Sequence, residues 1–371
     1  LRIFWPLILF VLLVPSVCRA AVAQPHIEAR SAVLVEASTG TVLYEKSAYT
    51  RHPPASTTKI LTALVAAERL RPGARIRVSR HAAGTVGSRA HIRYGETYSR
   101  DELLKGLLMR SGNDAATALA EGAAGSEKSF ADLANRRAAE LGALGTHIVN
   151  PHGLDRPDHL MTARDLALLS AHLLSRPDLA AIVSAADGTF GAEGRPARGV
   201  SNTNRLLTSY PGAIGVKTGT TSRAGKCLVA AARRDGMTLI AVVLASPDRW
   251  GESARLLDWG FDNFHLVRAA RAAEPLATRP GARPVPIVAD RDLLAVLPIR
   301  EEGRPHLDLV PSALGGARRG ERVGTVALIG RKGVCAVAYA VMGGRTPAGS
   351  GTALGERVIA WVAAMRRIGL T

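Results

Sequence analysis

Three short segments of this 371-residue chain carry side chains that could together perform acyl transfer. They read Ser56-Thr57-Thr58-Lys59, Ser111-Gly112-Asn113 and Lys217-Thr218-Gly219, in that order. Breaking a peptide bond by covalent catalysis needs a nucleophile, a base, an oxyanion hole and a proton donor for the leaving amine. Ser56 can attack, and Lys59 is the amine spaced to take its proton. A lysine near its free pKa of about 10.4 is charged and useless as a base. Burial and a second nearby cation favour the neutral amine, and Lys217 is the obvious second cation. Ser111 can relay a proton to the leaving nitrogen, while Asn113 can hold both Lys59 and a substrate carbonyl. Lys217 and Thr218 suit a carboxylate, by charge and by hydrogen bond, and a strand after Gly219 can dock an extended peptide. The expected substrate is a peptide with a free terminal carboxylate.

Each segment is weak by itself. A serine at a helix start is ordinarily a cap, Ser-Gly-Asn is ordinarily a turn, and a lone lysine is ordinarily solvated. The ordered set is what carries the inference, because together the segments supply every group such a site needs without a histidine. His152 and His91 are accordingly read as structural, since the lysine already fills the base role and no acidic partner is evident.

The elements around the segments follow from apolar spacing. Residues 31–45 read as a β-hairpin about Ser38, Thr39 and Gly40. Pro53-Pro54-Ala55 breaks the chain, and residues 56–70 then read as a helix through Ile60, Leu61, Leu64, Val65 and Ala67. That places Ser56 at a helix N-terminus, where free amides favour a developing negative charge, with Lys59 on the same side one turn later. Residues 101–123 read as helical with an interruption at Ser111-Gly112-Asn113, and residues 163–175 as another amphipathic helix. Cys227–Ala232 and Met237–Ala245 read as antiparallel strands joined at Arg234-Asp235-Gly236, with the Lys-Thr-Gly segment at the start of the first. Residues 253–266 suggest a closing helix.

The ends of the chain bear on where this chemistry happens. The apolar run 3–14 follows Arg2, and Ala21-Val22-Ala23 has the small-x-small pattern of a cleavage site, so residues 1–23 read as a secretory signal peptide. From about Ala272 the prolines Pro275, Pro280, Pro284 and Pro286 read as a linker. Strand-like pieces follow at 285–289, 293–298, 306–310, 323–329 and 334–341, a small all-β unit with a hairpin turn at Gly330 to Gly333. Residues 353–369 place Leu354, Val358, Trp361, Val362, Met365 and Ile368 on one side of a helix, with Arg357, Arg366 and Arg367 as a basic counterpart. That pattern reads as an in-plane amphipathic membrane anchor. The expected organisation is a signal peptide (1–23), a catalytic domain (24–271), a β domain (272–345), and a linker with anchoring helix (346–371).

A hydrophobic content of 47% is enough for a large core, and the formal charge is +17. Nucleic acid would be the first guess from that charge, but export argues against it; an anionic lipid surface or wall polymer is the better partner. An arginine-rich solvated surface is the plainer alternative. With only Cys227 and Cys335 left beyond the leader, a disulfide is not implied. No cofactor or metal is expected.

At this point the chain resembles a known family, the D-alanyl-D-alanine carboxypeptidases, low-molecular-weight penicillin-binding proteins of the S11 serine peptidase type. The resemblance extends beyond the three motifs to the segment from Pro53 to Thr62, and to Asn113-Asp114-Ala115-Ala116 and Asn150-Pro151-His152-Gly153-Leu154. It also includes Thr162-Ala163-Arg164-Asp165 and Gly215-Val216 ahead of Lys217. It implies a β-lactamase/transpeptidase-like α/β (α+β) fold, an antiparallel sheet flanked by helices, with a small all-β C-terminal domain and terminal amphipathic helix. It implies Ser56 as the acylated serine, Lys59 as the base, Ser111 and Asn113 as the second element and Lys217, Thr218 and Gly219 as the third. The oxyanion hole would be the amides of Ser56 and Thr220, and Arg249 is a weak candidate for an arginine near the substrate carboxylate. The implied substrate is a peptidoglycan stem peptide ending in D-Ala-D-Ala, with β-lactams as covalent inhibitors, outside the cytoplasmic membrane. Two rival functions stay open, beside endopeptidase action on cross-links as a third, nearby reading. A class A β-lactamase would add a glutamate for deacylation, and between 140 and 170 only Glu140 is present. A non-enzymatic wall-binding protein would have lost its nucleophile or base, and neither is lost.

Overall fold

The computed structural model describes residues 23–279, 285–299, 306–311, 321–330 and 333–342. The signal-peptide reading (1–23) lies outside that set but for Ala23, and the linker and terminal-helix reading (346–371) lies wholly outside it.

The hairpin is β1 (Ser31–Glu36) and β2 (Val42–Lys46). Its turn is closed by the buried Glu36 carboxylate, which accepts from the Ser38 and Thr39 amides and hydroxyls. A 3-10 turn, Ala55–Thr58, leads into α1 (Lys59–Arg69). β3 (Arg75–Arg77), α2 (Arg80–Gly84) and β4 (Thr97–Ser99) follow, then α3 (Arg100–Leu108), α4 (Asn113–Ala124) and α5 (Glu127–Glu140). Next come α6 (Ala163–Leu174), α7 (Pro177–Ser184), β5 (Asp187–Phe190), β6 (Arg198–Ser201) and α8 (Leu206–Ser209). Side-chain caps set several of these starts: Ser79 before α2, Ser99 before α3, Ser126 before α5 and Thr162 before α6 each accept from an amide of the first turn.

β7 (Ala213–Thr221), β8 (Gly225–Arg234) and β9 (Met237–Ser246) complete an antiparallel sheet in the order β2-β1-β9-β8-β7. Both faces of this sheet are covered, which is why β9 reads as a continuous apolar run rather than an alternation. Val33, Val35, Val229, Ile240 and Val242 pack on the helical side with Ile60, Leu64, Leu104 and Leu169. Ala32, Leu34, Leu228, Leu239 and Val243 face Leu256 and Leu257 of α9 (Arg249–Asn263) on the other.

β10 (Phe264–Ala270) leaves α9. The remaining strands are β11 (Pro275–Arg279), β12 (Val285–Ala289), β13 (Leu293–Pro298), β14 (His306–Pro311), β15 (Arg322–Gly330) and β16 (Gly333–Met342). β10 pairs with β13, and the others form a sheet in the order β11-β12-β16-β15-β14. Gly330 pairs with Gly333 at the end of the β15–β16 ladder.

Three expectations need correction. The Lys-Thr-Gly segment does not start the strand at Cys227; it lies inside a separate strand, β7, which pairs with β8 from Ala213↔Ala232 to Thr221↔Gly225. Glycines and threonines there give no apolar alternation, so the strand was illegible by periodicity. The closing helix begins at Arg249, capped by Asp248, and ends at Asn263, because Phe264 enters the extended strand β10. Pro275 to Arg279 is a strand rather than linker; Pro275 occupies its first position, where a missing N–H is tolerated.

Candidate active site

The fold delivers the three segments from three different elements. Ser56 sits in the 3-10 turn ahead of α1, preceded by Ala55 at φ 50°. Ser111 occupies the break between α3 and α4 at φ 60°. Left-handed backbone at two non-glycine residues, one beside a candidate reactive group and one itself such a group, is stored strain of the kind that packing must enforce. Gly112 permits that break: a Cβ there would lie 2.8 Å from Ala90 N.

Lys59 is fully buried. Its Nζ lies 2.8 Å from Ser56 Oγ, to which it can donate only when charged, and donates to Asn113 Oδ1 at 2.8 Å and to the His152 carbonyl at 2.7 Å. Asn113 is oriented by its own Nδ2, which donates to Val86 O at 2.6 Å, so Oδ1 is the atom that meets the lysine. Burial, and then the charge of Lys217, hold the Lys59 amine well below the ordinary lysine pKa, with Asp114 opposing. A neutral amine has two N–H bonds and one lone pair. Asn113 Oδ1 and the His152 carbonyl can only accept, so they take both hydrogens and the lone pair is left facing the Ser56 hydroxyl. That is the geometry of a base beside a nucleophile.

Lys217 and Thr218 lie side by side on β7, both buried. Lys217 is pushed down to about 7, by burial first and by Arg249 second. Gly219 brings β7 against the nucleophile turn, since a Cβ on it would meet Pro54 O and Ser56 N, each at 3.1 Å. Glycine is required here for close approach rather than for conformation. The Ser56 amide thus lies against β7 at Gly219, one residue before Thr220.

Several residues were not read, or were under-read, in the sequence. Arg249 donates to Gly219 O and to Thr220 Oγ1, at the edge of β7. It starts α9, 29 residues beyond Thr220, so spacing gave no signal. His152 enters through its backbone carbonyl; its ring Nδ1 accepts from Leu154 N at 3.2 Å, which leaves the hydrogen on Nε2. Burial, followed by the charge of Lys59, pushes that ring down to about 3. Asp114 is fully buried and accepts from the Ala90 and Ile92 amides, tying the loop that carries Val86 to α4. Asp155 accepts from Thr221 Oγ1 at 2.7 Å and so clips the 150–155 loop to the end of β7. His91 has no part in this cluster. Glu140 pairs with Arg137 on the exposed end of α5, where a deacylating glutamate would serve nothing. Cys227 is buried in β8, Cys335 is exposed in β16, and no disulfide joins them.

A family model described as D-alanyl-D-alanine carboxypeptidase, peptidase S11, matches residues 19–248, a span that holds every group of this cluster except Arg249. The chain belongs to the S11 peptidase family. It is 38% identical over 245 residues to the D-alanyl-D-alanine carboxypeptidase DacF of Bacillus subtilis, covering 64% of this chain and 63% of that protein. Over 262 residues it is 38% identical to DacC of Escherichia coli, covering 66% of this chain and 64% of that protein. The matched part thus spans a little under two thirds of these relatives. Among solved structures it is similar to penicillin-binding protein 5 of Haemophilus influenzae, with TM-score 0.77 and 28% identity over 87% of this chain and 98% of that one. Penicillin-binding protein 6B of Escherichia coli gives TM-score 0.70 and 30% identity, covering 86% of this chain and 96% of that one. The fold class of the S11 peptidases, an antiparallel sheet flanked by helices with an all-β region after it, is the fold of this chain.

Proposed function

We propose that this protein is a serine-type D-Ala-D-Ala carboxypeptidase that removes the terminal D-alanine from peptidoglycan stem peptides through an acyl-serine intermediate. The observation that carries the reading is the position of the Lys59 amine, 2.8 Å from Ser56 Oγ with two acceptor-only oxygens beside it, so that the neutral amine turns its lone pair to Ser56. Ser56 Oγ attacks the penultimate carbonyl while Lys59 takes its proton, and the amides of Ser56 and Thr220 receive the oxyanion. Ser111 passes the proton to the departing D-alanine nitrogen as the C–N bond breaks. Water then attacks the ester, with Lys59 again as base, and frees Ser56. Lys217, Thr218 and Arg249 hold the substrate's carboxylate, and Gly219 lets the peptide lie along β7. A β-lactam offers the same groups a strained amide and a carboxylate, so it acylates Ser56 as well.

The work would be done outside the cytoplasmic membrane, as a wall substrate requires. Among the described residues no single helix is long and apolar enough to cross a membrane. Peripheral attachment would come from the amphipathic pattern of residues 353–369, by apolar burial and attraction to anionic lipid. The proposed division into signal peptide, catalytic domain, β domain and anchoring segment keeps the boundaries read from the sequence.

The test is release of free D-alanine from a pentapeptide ending in D-Ala-D-Ala, together with intact mass after exposure to a penicillin. D-Alanine release and a single adduct, absent in Ser56→Ala, are expected. No release, or an adduct that persists in Ser56→Ala, refutes the reading.

A further inference from the structure

His159 lies in the loop between α5 and α6, where two hydrogen bonds of 2.8 Å between His147 and Leu160 fix the backbone beside it. Its ring is buried and bonded at both nitrogens. The Val149 amide donates to Nδ1 at 3.2 Å, so the ring hydrogen sits on Nε2, 2.8 Å from Thr58 Oγ1. Burial first, and then the charge of His147, push this ring down to about 4, so it keeps that tautomer near neutral pH. The buried Thr58 hydroxyl accepts from the ring and donates its own hydrogen to the Ala55 carbonyl at 2.9 Å. The hydrogens of this chain therefore all run one way, from the Val149 amide through His159 and Thr58 to Ala55 O.

The Ala55 carbonyl belongs to the peptide unit whose N–H is that of Ser56. In a planar trans peptide the C=O and N–H point in opposite directions, so a bond that fixes one aims the other. Ala55 O is turned toward Thr58 and Gly153; a Cβ on Gly153 would lie 1.9 Å from it. The Ser56 amide is turned the other way, against β7 at Gly219. That amide is one of the two assigned to the oxyanion. A donor on the carbonyl also polarises the unit and strengthens its N–H. Ala55 is held at φ 50°, a backbone conformation that needs such ties to persist.

We propose that His159 is a positioning residue that aims the Ser56 amide at the oxyanion through Thr58 and the Ala55–Ser56 peptide. The inference rests on the acyl-serine reading above. In the full chain, His159→Gln and His159→Asn separate the two bonds of the ring. A glutamine NH2 reaches the place of Nε2, whereas an asparagine oxygen reaches only that of Nδ1. Thr58→Val and Thr58→Ser test the next link. His159→Asn and Thr58→Val should lower kcat for a D-Ala-D-Ala peptide by about ten- to a hundredfold, short of deleting an oxyanion donor outright. KM should hold within about twofold, because the lost interaction belongs to the transition state. His159→Gln and Thr58→Ser should keep most of the wild-type kcat. Affinity for a peptide boronic acid, whose tetrahedral adduct on Ser56 puts an oxygen where the oxyanion forms, should fall in step with kcat. Rates are taken per folded protein, measured by circular dichroism, so a loss of stability alone does not register. Equal losses in His159→Gln and His159→Asn, a loss carried by KM, or an unchanged boronate affinity would overturn the inference while wild type still releases D-alanine. A wild type that neither releases D-alanine nor binds the boronate refutes the carboxypeptidase reading instead.

Discussion

The Arg249 guanidinium donates to the Gly219 carbonyl at 3.0 Å and to Thr220 Oγ1 at 2.8 Å, and its charge helps hold the Lys217 amine down to about 7. A cation that binds a carboxylate is useful only while charged. On the proposed reading, kcat/KM for a carboxylate substrate should therefore fall as pH rises through about 7. Lys217→Arg should keep moderate activity and remove that alkaline limb, since a guanidinium stays charged. Arg249→Gln should move the limb to higher pH while raising KM. pH profiles of the three proteins check this; an unmoved limb in Lys217→Arg would assign it to another group.

Lys59→Arg should abolish acylation, by about a thousandfold or more, because no base of suitable pKa remains. The contrast with the milder Lys217→Arg is the informative part, measured by stopped-flow acylation with a labelled penicillin. Equal effects would overturn the division of labour between the two lysines.

A buried lysine held neutral also leaves a mark on stability. The folded pKa of Lys59 lies well below its unfolded value, so the unfolded chain binds the extra proton in the interval between them. Stability should rise with pH across that interval and level off near the unfolded value of about 10.4. Lys59→Met should flatten this part of the profile, read from urea midpoints at several pH values.

Gly153, at φ +87°, has no room for a side chain: a Cβ would lie 1.9 Å from the Ala55 carbonyl and 2.9 Å from Thr58 Oγ1. Gly153→Ala should cost more than about 3 kcal/mol and displace the nucleophile turn. Gly84→Ala, in α2 with nothing within 4 Å of the new methyl, is the control and should be neutral or slightly stabilising. Thermal melts and acylation of both variants measure the difference.

How far the sequence alone reached depends on the kind of signal each part carries. β1, β9 and α6 are legible because apolar residues repeat at a strand or helix period, or fill a doubly covered strand. The strands at 285–289 and 293–298 were read to the residue, since prolines and acidic turn residues bracket them. β7 gives no strand signal because its stretch from Lys217 to Thr221 is written mostly in glycine and threonine. Among the site groups, Ser56, Lys59 and Asn113 are brought together as the motifs suggested. The acceptor that completes the Lys59 environment is a backbone carbonyl, at His152, and any residue would supply one. Arg249 reaches the site through tertiary folding alone, so no local pattern could announce it.

Glu252 is a buried carboxylate on α9 that accepts from the amides of Glu28 and Ala29 and from Ser246 Oγ. Glu252→Gln should lower stability by about 1–3 kcal/mol, since an amide presents one acceptor oxygen where three donors converge. D-Alanine release at low temperature should be unchanged, as the residue lies on the sheet face away from α1.

The place of β1 in the sheet bears on the order of events during folding. Its neighbour β9 is more than 200 residues further along the chain, Ser31 being paired with Leu244. The strand just upstream of the nucleophile therefore cannot be sandwiched until nearly all of the S11 region is free to fold. Long-range pairing of this sort is slow to form, because loop closure must be met before the contacts repay it. Ser56 therefore meets Lys59 and the β7 edge in their final places only once the sheet has closed around β1, late in folding.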